Sequence, residues 1–157
     1  MGVLGKSLTS NFKNKKVSRS LKYSLIFGLI VLLILIRFFE DQLFYDPYLV
    51  FFENDYLYID SPRREVFKLT VFTSLRYLLN TIISLGILKV AFQDNSIVKF
   101  SALLYGTAYV VLLIFFLYFV LNPTQEDYYL FFNVRRFLIH PIFLIIILPA
   151  FYYNKLK

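Results

Sequence analysis

Four stretches, about residues 21–39, 66–92, 97–121 and 137–153, are almost wholly apolar. A helix needs about 20 such residues to cross the hydrocarbon core of a bilayer, and these runs match or approach that length. A chain of 157 residues that carries four of them has little left from which to build a soluble core. Its hydrophobic content, 59%, lies above the roughly half usual in soluble domains. The expected fold is an all-α integral membrane protein, four transmembrane helices with short amphipathic, aromatic outer segments. A basic tail, 1–20, precedes a single membrane domain, 21–157. Pro123 closes the third run, and Ser61-Pro62 reads as an N-cap and first-turn pair opening the second.

Composition excludes several chemistries. There is no cysteine, so thiol nucleophiles, thiolate metal sites and disulfides are ruled out. His140 is the single histidine, which excludes a multi-histidine metal site; no cofactor is expected. The net charge of +7 would suit nucleic acid, but the basic residues sit at the ends of the apolar runs. That is a membrane pattern, and no nucleic-acid partner is expected.

The same charges set an orientation. Lys6, Lys13, Lys15, Lys16, Arg19 and Lys22 lead the first run, as in a secretory signal. Arg37-Phe38-Phe39-Glu40 stands where cleavage needs small residues, so an uncleaved anchor is expected. With both termini cytoplasmic, those cations share a side with Lys89, Lys99, Lys155 and Lys157. The other side holds Arg37, Arg63, Arg64, Lys68, Arg135 and Arg136. The cytoplasmic excess favours this arrangement.

Residues 38–60, FFEDQLFYDPYLVFFENDYLYID, are too polar to span and too aromatic to float free. Asp46-Pro47 predicts a short helix with Tyr48, Phe51 and Phe52 along one side, and Tyr56-Leu57-Tyr58-Ile59 suits an extended piece. The second outer loop echoes the first: Asp127-Tyr128-Tyr129-Leu130-Phe131-Phe132 parallels Asp46 to Phe52, and each precedes an arginine pair. A duplicated hairpin accounts for this, and so does chance in a chain with 13 tyrosines and 19 phenylalanines. Tyr48, Phe51, Phe52, Tyr128, Tyr129, Arg63, Arg64, Arg135 and Arg136 form the candidate outer surface. It reads either as an anchor at headgroup level or as a face that grips a partner or an anionic lipid.

Inside the second run, Thr73, Arg76, Tyr77, Asn80 and Ser84 follow at three- and four-residue steps or beside one, and so share a helix face. Arg76 lies about 15 Å along that helix. A charge at such depth costs about 2.5–3.5 kcal/mol even on lenient insertion scales, so the stripe should face the other helices. No acid lies within a run. Candidate partners are Tyr105, Tyr109, His140, a carbonyl freed near Phe137 by Pro141, an acid dipping in from an outer loop, or a partner protein. A bundle clasp and a functional polar pocket both fit. His140 titrates near neutral pH, but with no cysteine in the chain and no serine in the fourth run, it reads as a packing residue at a proline kink before a catalytic one.

The runs RFFEDQLFYDPYLVFF (37–52), LRYLLN (75–80) and NVRRFLIHPIFLIIILPAFYY (133–153) resemble the exosortase F system-associated proteins. These are small membrane proteins of Bacteroidetes, encoded beside an exosortase. The resemblance covers about residues 20–155 and implies a bacterial inner-membrane accessory of a protein-sorting enzyme. Exosortase F, its sorted substrate and membrane lipids are the implied partners. Exosortases use an intramembrane cysteine with arginine and histidine; this chain has no cysteine, so no catalytic role carries over. The expectation is a non-enzymatic docking protein. Its rival is a membrane enzyme acting on an anionic lipid-linked substrate through Arg76, Arg135, Arg136 and His140.

Overall fold

The computed structural model describes residues 18–54 and 60–156. The extended piece expected at Tyr56–Ile59 and the tail before Ser18 lie outside the described residues. Among the described residues seven α-helices follow in order: α1 (Arg19–Phe38), α2 (Glu40–Leu43), α3 (Tyr48–Glu53), α4 (Val66–Phe92), α5 (Asn95–Leu121), α6 (Tyr128–Ile139) and α7 (Ile142–Leu156), with a single 3-10 turn, Gln125–Asp127, leading into α6. By length and composition α1, α4 and α5 can cross a membrane, and α6 with α7 adds a fourth crossing if that bent pair is one span.

Local chemistry explains most boundaries. Ser18 caps α1, its Oγ accepting from the Leu21 N–H at 3.3 Å. Gln93 takes a left-handed conformation (φ 53°) to end α4, and Asp94 caps α5 by accepting from Ser96 N–H at 2.8 Å. So tight a turn forces α4 and α5 antiparallel. Cations meet the carbonyl ends of helices, where the backbone dipole is negative. Lys22 and Lys155 donate to Ala91 O and Phe92 O at 2.5 and 3.1 Å, closing α4. Arg64 donates to Val120 O near the end of α5. Ser61-Pro62 does not open α4, which begins at Val66; Ser61 Oγ instead accepts from Arg64 at 3.0 Å.

The fourth run departs from its expected course. It is not one helix over 137–153: α6 starts earlier, at Tyr128, and the chain breaks at His140-Pro141 before α7 turns away by 63°. Proline cannot donate to the turn before it and clashes with the carbonyl four residues back; it also drives the preceding residue out of helical geometry. His140 accordingly is extended (φ −110°, ψ 149°). With 15 residues, α7 alone is about 22 Å long, short of the ~30 Å hydrocarbon thickness.

The core gathers around α4, which packs against α1, α5 and α6. At the end carrying α3 it is an aromatic cluster. Tyr48 meets Phe131 edge-on at 4.8 Å, Phe51 meets Tyr128 at 5.2 Å, and Phe52 meets Phe131 at 5.4 Å. Phe116 and Phe119 of α5 close on Phe131 at 5.6 and 5.9 Å. The two echoing aromatic segments thus pack on one another.

Candidate functional site: an arginine-headed lateral groove

Thr73, Arg76, Tyr77, Asn80 and Ser84 are all buried in the face of α4 that meets the other helices. Arg76 is 2% exposed. Leaving a guanidinium unpaired there is prohibitive, and its partners come from the short helices that fold over this end. Glu40, opening α2, pairs with Arg76. Asp46, just before α3, lies 3.5 Å from Arg76 and 2.5 Å from Arg135 of α6. Arg37, at the end of α1, reaches Glu40 at 2.7 Å. The result is one chain of charge, Arg37–Glu40–Arg76–Asp46–Arg135, tying α1, α2, α4, α6 and the approach to α3 together. Phe44 and Phe52 add ring faces beneath Arg76 and Arg135, at 5.4 and 5.7 Å.

Among the described residues, the acids that meet Arg76 come from the segment between α1 and α3, Glu40 and Asp46. Tyr105 and Tyr109 serve other groups: the Tyr77 hydroxyl donates to Tyr105 O at 2.7 Å, and the Tyr109 hydroxyl donates to Ser74 Oγ at 2.7 Å. The carbonyl next to the proline break is taken by Asn80, whose Nδ2 donates to Ile139 O at 2.9 Å. Asn80 thereby fixes the bend of α6–α7 against α4. Ser84 is fully buried beside them.

The outer surface differs from its expected form. Tyr48, Phe51, Phe52, Tyr128 and Arg135 are buried rather than presented, because α3 lays its aromatic face on α6 and Arg135 turns to Asp46. Burial pushes the Tyr48 phenol up to about 12, with Arg64 pulling the other way. Arg64 is spent on Val120 O, while Arg63, Tyr129 and Arg136 remain exposed.

Next to the ionic chain a groove of about 480 Å³ opens between α1 and α7. Its head is Arg37, Arg76, Asn80, Arg136 and His140; its walls are Ile30, Leu33 and Ile34 of α1 and Ile142 and Ile145 of α7. A smaller cavity of about 300 Å³ adjoins it, sharing Arg37, Arg136 and His140 and adding Arg135 and Glu53. Arg136 and the His140 imidazole make no hydrogen bond or ion pair with any described residue. The groove therefore combines an apolar slot with unspent donors at one end, and it can take an anion attached to something apolar. No His, Asp or Glu cluster suited to a metal ion occurs among the described residues.

Sequence reasoning identified Arg76, Asn80 and His140 but not Glu40, Asp46 or Arg37. The available signals were the three-residue spacing of Arg37 and Glu40 and the presence of acids in a segment too aromatic to float free. The chain matches no protein-family model, no curated protein and no solved structure.

Proposed function

We propose that this chain is a non-catalytic accessory protein of a bacterial inner membrane, with both termini cytoplasmic, working beside an exosortase of the F type. Its groove is the face that docks the enzyme, the enzyme's sorted substrate or a lipid carrier. The single observation supporting a docking role is the groove itself: arginines and a histidine at its head, isoleucine walls, and an opening between two helices. A purely structural clasp needs the ionic chain but not the slot beside it. Co-purification from native membranes tests the reading. The full-length chain is expected to bring down an exosortase or a sorted substrate, and Ile145→Trp, which fills the mouth of the groove, to reduce that recovery. Recovery of neither protein contradicts it.

A second reading, an enzyme acting on an anionic lipid-linked substrate, is favoured by one observation. Arg76, Arg136 and His140 line one groove, and Arg135 joins the last two in the adjoining cavity. The groove lining holds no hydroxyl or carboxylate to act as nucleophile or second acid–base group, and the carboxylate of the adjoining cavity, Glu53, is exposed, so docking leads. Hydrolysis or transfer on a phospholipid or lipid-linked phosphate that is lost in His140→Gln, with the fold intact, would reverse that order.

A further inference from the structure

The occupant of the groove can be narrowed by charge, size and backbone geometry; the inference rests on reading this groove as the docking face. Charge comes first. Arg37, Arg76, Arg135 and Arg136 surround the head, while Glu40 and Asp46 are each shared between two of them. Counting the exposed Glu53 of the adjoining cavity as well, the arginines still outnumber the carboxylates. The surplus sits on Arg136, which has no partner among the described residues, with His140 beside it on the same wall.

Size is the second constraint. A membrane-crossing helix is about 10 Å across and 30 Å long, on the order of 2,400 Å³. The groove offers about 480 Å³. A slot of that volume takes a single hydrocarbon chain, whereas a helix can only lie across its mouth. The slot also opens sideways between α1 and α7, whose neighbouring residues Phe27, Ile34, Ile145 and Ile146 are exposed and apolar. A chain already lying among lipid tails can slide into it.

Backbone geometry is the third. The 63° break at His140-Pro141 brings the start of α7 to the groove, with Pro141 and Ile142 in its wall. A helix start carries partial positive charge, and broken helices at membrane depth use such ends to hold anionic groups; here Ile142 and Leu144 N–H already donate to His140 O and Pro141 O at 2.8 and 3.1 Å, so α7 contributes through its dipole. Guanidinium forks match phosphate oxygens in the same way.

We infer that the groove binds a phospholipid of anionic headgroup. One acyl chain lies between Ile34 and Ile145, and the phosphate rests against Arg136, His140 and the start of α7. The site is assembled by the ionic chain, since Arg37–Glu40–Arg76 holds the α1 side of the slot in place.

Native mass spectrometry of the detergent-purified full-length chain tests this. Delipidated protein is offered phosphatidylglycerol and phosphatidylcholine of identical acyl chains, and separately inorganic phosphate. The expected result is one retained lipid per chain, a clear preference for phosphatidylglycerol, and no adduct with inorganic phosphate alone. Arg136→Gln should weaken retention about tenfold, the loss expected of one charge-assisted hydrogen bond. Ile145→Trp should abolish retention. Both positions are exposed, so neither change burdens the fold. Equal retention of the two lipids by the unaltered chain, or retention indifferent to Ile145→Trp, overturns the inference. A chain without lipid preference that still captures a protein partner through this face overturns the lipid site and leaves the docking reading standing. Lipid selectivity with no protein partner supports the site and removes the proposed accessory role.

Discussion

Helices α1 and α4 are both long enough and apolar enough to cross a bilayer, but α1 has no buried residue, whereas α4 buries Leu69, Thr73, Arg76, Tyr77, Asn80, Ile83, Ser84, Ile87, Leu88 and Phe92. Half of those buried side chains are the polar stripe. For a chain set in a bilayer the contrast follows from the solvent: hydrocarbon accepts apolar side chains as readily as a protein core does, so apolarity does not drive a helix inward. Polar groups do, because only other polar groups can satisfy them. Helix α1 touches α4 through half-buried Ile26, Leu29, Leu33 and Ile36 and leaves Phe27, Ile34 and Phe38 bare.

The contrast can be broken by substitution. The largest effect is expected from Arg76→Met. Removing the central member of a buried ionic chain leaves Glu40 to Arg37 alone and Asp46 to Arg135 alone, at a cost of about 3–5 kcal/mol in unfolding of the detergent-solubilised protein. Phe131→Ala, at the centre of the aromatic cluster, should cost a similar or slightly smaller amount, about 3 kcal/mol, through the cavity it leaves. Asn80→Ala frees the Ile139 carbonyl at the bend and is expected to cost about 1 kcal/mol. Its sharper readout is a loosened α7, seen as faster amide exchange after Pro141. Phe27→Leu on the bare side of α1 should change stability by less than about 0.5 kcal/mol, despite removing a large aromatic ring. If Phe27→Leu costs as much as Asn80→Ala, α1 is not the peripheral helix described here.

The legible parts of the fold were those set by local pattern. The run 66–92 coincides with α4, and Asp46-Pro47 does precede a short helix with Tyr48, Phe51 and Phe52 on one side. Pro141 marked the break, though not how far α6 extends before it. What the sequence hid was non-local. Periodicity says which residues of α4 share a face but not that α2 and α3 fold back to deliver Glu40 and Asp46 to it. Tyrosine is common at membrane boundaries, so the spacing of Tyr48, Phe51 and Phe52 suggests an interfacial surface; these rings instead pack on α6, whose own Tyr128 and Phe131 match them. Arg136 was visible as one of a pair, but its separation from buried Arg135 depends on the turn of α6 and is absent from the spacing.

Arg76 is held inside the bundle by carboxylates from the segment before α4. A double-mutant cycle on Arg76→Gln and Glu40→Gln, read as unfolding free energy of the full chain, tests it most directly. Members of one ionic chain should be coupled, the double variant losing about 0.5–3 kcal/mol less than the two single variants together. Losses that simply add, within about 0.3–0.5 kcal/mol, would mean that the two side chains do not meet and would contradict the account.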